Sequence, residues 1–198
     1  MARQKGPLKY VGTLGDIRHF KIKGNEGYFA GLTGGPTAEQ IATDPAFQRT
    51  RENGSEFGRA GKGGKVIRNA IRILLQNAKD KRVVSRLTKA LVAVTKTDAV
   101  NERGARTIQD GDMSTLQGFE FNLNGRLGST LFAPFSTSLD RVTGDVGLDI
   151  ASFAPAVRIA SPGGTTHFKV VMGATELDFE NENSTFESAE TAILPYDS

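Results

Sequence analysis

Apolar positions recur every second residue near both ends of this 198-residue chain and with a helical period through its middle. Near the start, Tyr10–Leu14 and Ile17–Ile22 flank Gly15-Asp16, a two-residue loop of the kind that closes a tight β-hairpin. Pairing Leu14 with Ile17 sets Val11 opposite Phe20. Tyr10, Leu14 and Ile17 then share one face, and Val11, Phe20 and Ile22 share the other. Both faces carry large apolar groups, so the hairpin is expected to be covered on both sides, by its own domain or by a neighbour. Lys23–Gly27 forms a second turn that leads into Tyr28-Phe29-Ala30, and Leu32–Pro36 reads as a linker.

Thr37 and Gln40 have capping-box spacing at a helix start, and Asp44-Pro45 places a cap before proline at the first helical position. That second helix is expected through Ala46–Glu52, with a break at Asn53-Gly54-Ser55. The strongest periodic signal follows. In Gly61–Ala78 an apolar arc contains Val66, Ile67, Ala70, Ile71, Ile73, Leu74, Leu75 and Ala78, opposite Lys62, Lys65, Arg68, Arg72 and Lys79. Asp80 caps a further helix with an apolar stripe of Val83, Val84, Leu87, Ala90, Leu91 and Val94. Arg82, Arg86, Lys89 and Lys96 lie on its far side. The short connection predicts an antiparallel helical hairpin.

From about residue 118 the period returns to two. Strands are expected at Phe119–Leu123, Ser129–Ser136 (broken at Pro134), Val146–Ile150, Val157–Ala160, His167–Val171 and Thr175–Glu182, with turns at Asp140–Asp145 and Ser161–Gly164. In the last strand Leu177 and Phe179 point inward, and Glu176, Asp178, Glu180 and Glu182 outward. The pattern predicts an α+β protein: an N-terminal hairpin arm over residues 1–35, a basic helical region over 36–110 and a C-terminal antiparallel β-sandwich over 111–198.

Charge sharpens this picture. Residues 1–106 carry a net +12 and residues 107–198 a net −9, so the overall +3 conceals a polarised chain. Between Arg59 and Lys96 eleven cations face one acid, Asp80, which is the footprint of a phosphate-backbone binder. No aromatic lies between Phe57 and Phe119 to stack bases, and no helix-turn-helix or zinc-finger signature accompanies the charge. The acids at residues 176–190 offer the cations a partner. If the two surfaces cannot meet within one molecule they meet between copies, a heterologous contact that builds rings or filaments.

Candidate chemistry is sparse. The chain has no cysteine, so disulfides, thiolate metal sites and cysteine nucleophiles are excluded. Gly58–Lys65 fails as a phosphate loop, because Arg59 stands at the first glycine position and Val66 where a hydroxyl must hold magnesium; it reads as a flexible junction between helices. His19 and His167 are isolated, and two histidines without carboxylate help cannot hold zinc. An EF-hand at Asp178 fails because Asn183 occupies the glycine position. No catalytic residue, metal or cofactor is expected. The basic start is followed by no apolar run, so no secretory signal is visible, and no apolar stretch is long enough to span a membrane. The chain is expected to be cytoplasmic, or released as an assembly.

At Asp44–Gly54, Glu56-Phe57-Gly58 and Ser85–Lys89, the sequence resembles a group of uncharacterised bacterial proteins over nearly its whole length. That resemblance implies no activity or site. The expected function is therefore structural: a self-assembling subunit of a filament, tube or particle. Its contacts would join Lys62, Lys65, Arg68, Arg72, Arg82, Arg86 and Lys89 to Glu176, Asp178, Glu180 and Glu182, and would share the hairpin residues Tyr10, Val11, Leu14, Ile17, Phe20 and Ile22. The alternative is non-specific binding of nucleic acid or another polyanion.

Overall fold

Turn chemistry sets the N-terminal architecture of the computed structural model, which describes residues 2–197. Gly15 adopts φ +56°, a left-handed conformation that glycine tolerates without a Cβ penalty, and closes β2 (Gly12–Leu14) onto β3 (Ile17–Phe20) with Leu14 paired to Ile17 as expected. The next turn brings β4 (Phe29–Leu32) antiparallel to β3, pairing Ile17 with Leu32 and Phe20 with Phe29. A two-residue strand β1 (Ala2–Arg3) adds to β4, giving the order β1-β4-β3-β2 with β2 at an edge. The expected capping box is formed: Thr37 Oγ1 accepts from Gln40 N at 3.1 Å, and Gln40 Oε1 accepts from Thr37 N at 2.8 Å, opening α1 (Ala38–Thr43). Asp44 accepts from Ala46 N at 2.8 Å and starts a short 3-10 turn at Pro45 that leads into α2 (Gln48–Ala70).

The chain divides into two compact units, Met1–Arg51 and Glu52–Ser198. In the second, α2 runs unbroken through Asn53-Gly54-Ser55, where a break was expected. The Gly58–Lys65 stretch, expected as a flexible junction, is the middle of this helix. Five glycines from Gly54 to Gly64 disfavour a helix by roughly 1 kcal/mol each relative to alanine. Tertiary contact offsets that cost at specific positions. A Cβ on Gly63 would stand 2.2 Å from the Ile108 Cδ1 and 3.3 Å from the Phe179 ring, and one on Gly64 would meet the Leu91 and Leu87 side chains. These two glycines let neighbouring side chains reach the helix axis.

After Ala70 the helix is interrupted at Ile71 and resumes as the single turn α3 (Arg72–Leu75). The partner helix α4 (Val83–Thr97) follows. Its buried stripe is Val83, Leu87, Leu91 and Val94, as expected, whereas Val84 is half exposed. The core joins Ala60, Ile67, Leu87, Leu91, Val94 and Ile108, with Leu116, Phe119, Phe121, Leu177 and Phe179 against it.

Three expected strands are absent or broken up. Phe119–Leu123 is a loop whose carbonyls serve side chains and turns in place of a ladder: Arg86 donates to Glu120 O at 2.7 Å and Asp80 N to Phe121 O at 3.2 Å. Phe119 and Phe121 still point inward, edge to face at 5.0 Å. Ser129–Ser136 splits into a helical turn α5 (Leu127–Thr130), a bridge from Leu131 to Ile159, and the start of β5 (Phe135–Leu139). Val157–Ala160 is largely the turn α6 (Pro155–Arg158), with proline at its first position.

The remaining strands are antiparallel, as expected: β5 with β6 (Val146–Ile150), β7 (His167–Phe168) with β10 (Leu194–Pro195), and β8 (Val171–Asp178) with β9 (Asn183–Glu190). They form three two-stranded ladders, a pairing compatible with a sandwich that does not by itself close one.

The glycines of α2 give opposite predictions. Gly58 has open space where a side chain would go, so Gly58→Ala is expected to raise stability by about 0.5–1 kcal/mol. Gly63→Ala is expected to lower it by about 1–3 kcal/mol, because overpacking against Ile108 outweighs helix propensity. Urea denaturation of the two variants measures both signs.

Candidate assembly surfaces

Cross-strand register creates the first surface. Leu14, Ile17 and Leu32 are successive partners across β2, β3 and β4, so their side chains stand in one row on one face. All three are uncovered, at 69%, 43% and 81% exposure. Beside this row His19 is buried and Tyr10 stacks on it, ring centroids 4.2 Å apart. On the other face Phe20 and Phe29 stack at 6.2 Å with Ile22 half buried, while Val11 is exposed. His19 is the only buried residue described in Met1–Arg51. The described residues of this unit therefore do not by themselves cover both faces.

The basic helices supply the second surface, and the structure sorts their cations. Arg86 belongs to the fold: it pairs with Asp80 at 2.5 Å, donates to the carbonyls of Glu120 and Phe121, and lies over the Phe119 ring at 5.2 Å. One guanidinium nitrogen of Arg68 is likewise buried. Lys62 reaches Glu182 at 4.0 Å, with both side chains well exposed. Such a wet pair contributes at most about 1 kcal/mol. Lys65, Arg72, Arg82 and Lys89 stay exposed and enter no ion pair among the described residues.

The acidic surface is also partly spent inside the chain. Asp178 ends β8 and accepts from Glu180 N and Asn181 N at 3.0 Å each, and from the Asn181 amide at 2.7 Å. These bonds hold its carboxyl below the usual carboxylate range against the opposing cost of burial. Glu180 and Glu182 occupy the β8–β9 turn, where a continuing strand was expected, and Glu182 takes the left-handed φ of +54°. Leu177 and Phe179 pack on the helical core, as expected, so the ladder meets the basic helices by its apolar face. Glu176 and Glu187 remain on the outer face, exposed.

Two features were not legible beforehand. Phe57 and Val84 line a groove of about 600 Å³ between α2 and α4, with Lys81 and Lys89 at its rim. The periodicity placed Val84 in the core and left Phe57 unassigned. The second feature is Asp98 at the end of α4, which is buried. It accepts from Val100 N, Asn101 N, the Asn101 amide and Thr107 N, all within 3.0 Å, and thereby folds residues 98–110 over Val94. A short polar run after a helix was the only signal for it.

Burial raises the Asp98 pKa, yet these hydrogen bonds outweigh it and hold the carboxyl far below the usual carboxylate range. A folded-state pKa below the unfolded value stabilises the fold above about pH 4, and the contribution is lost as pH falls through the lowered value. Thermal melts are therefore expected to drop steeply in midpoint below about pH 4. Asp98→Asn is expected to melt several degrees lower at pH 7 and to show a shallower acid limb, because its amide nitrogen faces donors.

Among the described residues no group of three or more histidines or carboxylates is placed to hold a metal ion. No helix is long and apolar enough to cross a membrane. His19 lies in the N-terminal sheet, and His167 is exposed beside Thr166 in β7. The features gathered here suit binding: an apolar sheet face, free cations, free acids and an apolar groove. No family model, curated protein or solved structure matches the chain.

Proposed function

We propose that this protein is a structural subunit that associates with copies of itself, its N-terminal sheet face acquiring from a neighbour the cover that its own unit does not supply. One observation carries the reading: Leu14, Ile17 and Leu32 form an uncovered apolar row in a unit whose single buried residue, among those described, is His19. Burying one such side chain stabilises by about 1.5–3 kcal/mol, so covering the row is worth roughly 3–6 kcal/mol after allowing for partial burial already present. Contiguous exposed apolar surface of this kind marks an interaction site. The free edge of β2 adds unpaired backbone groups able to extend a ladder into another copy. Lys65, Arg72, Arg82 and Lys89 and the acids Glu176 and Glu187 supply complementary charge for a heterologous contact.

A second reading, non-specific polyanion binding, is supported by the same four unpaired cations. The two readings respond differently to one experiment. Light scattering and negative-stain imaging of the purified protein are expected to show large particles without nucleic acid. Ile17→Asp is expected to reduce them to small species with α-helical circular dichroism intact. A wild-type protein that stays monomeric at high micromolar concentration, and shifts on DNA with an affinity falling steeply as salt rises, would replace the first reading by the second.

A further inference from the structure

The β5–β6 hairpin ends in an apolar tip with no role in its own chain. Val142 is 95% exposed and Leu139 is also largely exposed. The turn beneath them is closed by hydrogen bonds. Asp140 N donates to Asp145 O and Gly144 N to Asp140 O, both at 2.9 Å. The Asp140 carboxylate accepts from Val142 N at 2.8 Å, and Thr143 Oγ1 donates to Asp145 at 2.8 Å. Val142 is thus held out between two carboxylates, Asp140 and Asp145, with one base, Arg141, beside it. A tip fixed in advance loses little entropy on docking.

The groove between α2 and α4 has the complementary character: an apolar floor with the 61%-exposed ring of Phe57 and Val84, and a cationic rim of Lys81 and Lys89. Other segments of the chain fit it less well. The exposed row of the N-terminal sheet has Asp16 in its own turn but four cations in the same stretch of sequence, Lys9, Arg18, Lys21 and Lys23, a net positive charge that the rim would repel. The β8–β9 ladder has already committed its apolar face to the core. Val142 and Val84 are both exposed, so tip and groove are not joined within one chain.

Resting on the self-association reading, we propose that the α2–α4 groove of one copy receives the β5–β6 tip of another, with Val142 against Phe57 and Val84, and Asp140 and Asp145 facing Lys81 and Lys89. Tip and groove are different patches, so the contact is heterologous and propagates head to tail.

The absence of cysteine makes the test clean. Val142→Cys and Ser85→Cys are made in separate proteins of different tag length, mixed, and oxidised with copper phenanthroline; Ser85 lines the groove. A disulfide needs Cβ atoms about 3.5–4.5 Å apart, so only a seated tip brings the pair together. The expected product is the mixed disulfide, with neither protein crosslinking to itself, and its loss when Lys81 and Lys89 are both replaced by Glu. Particles by light scattering without a mixed disulfide would overturn the tip-in-groove contact while leaving self-association standing. A monomer with no crosslink would overturn both. Disulfides of Ser85→Cys with itself would show groove facing groove and overturn this pairing.

Discussion

Burial is concentrated in one short stretch, and everything else hangs from it. Of the eighteen buried residues among those described, sixteen lie between Glu56 and Ile108; the other two are His19 and Ala133. Close approach at Gly63 shapes this core, since the Ile108 side chain fills the space that a Cβ atom would take there, and Leu91 and Leu87 lie against Gly64. Asp98 then ties the returning loop down, placing Ile108 against α2. Sequences before and after this core form hydrogen-bonded ladders with few fully buried residues, although Leu177 and Phe179 pack on the core. Isolated hairpins are marginal in water unless an apolar face is covered. Surface left open on such ladders is what an assembling subunit would hold in reserve.

Charge segregation takes on a more specific meaning in this light. The polarity of the sequence is real, but part of it is consumed internally: Arg86 with Asp80, Asp178 in its own turn, and Lys62 beside Glu182. Lys65, Arg72, Arg82 and Lys89 remain on one side, and Glu176 and Glu187 on the other. Rim charges of this kind steer and orient association more than they stabilise it. In the proposed assembly apolar contact would therefore supply the affinity, from the Leu14–Ile17–Leu32 row and the Phe57–Val84 groove.

The sequence was most readable where one local rule decides the outcome. Gly15-Asp16 fixed the register of the first hairpin, Thr37 and Gln40 closed their capping box, and the α4 stripe of Val83, Leu87, Leu91 and Val94 was correctly placed. It misled where tertiary contact overrides propensity. Asn53-Gly54-Ser55 predicted a break that the helix does not make, and of the glycines in α2 it is Gly63 that the packing against Ile108 requires. Phe119–Phe121 alternates like a strand, but Arg86 and Asp80 take its backbone groups. Leu32 was assigned to a linker because its partnership with Ile17 depends on a third strand. Phe57 and Val84 could not be recognised as a groove, since the helical period that identifies a core does not reveal which apolar residues another helix leaves uncovered.

Hydrogen exchange measured across a dilution series tests the central claim most directly. The account predicts that amides of Ile17–Phe20 and Phe29–Leu32 are protected at high concentration and lose protection on dilution, while those of Leu87, Leu91 and Val94 keep theirs throughout. Protection of the N-terminal sheet that is independent of concentration and equal to that of α4 would contradict it, for the sheet would then be stable without a neighbour.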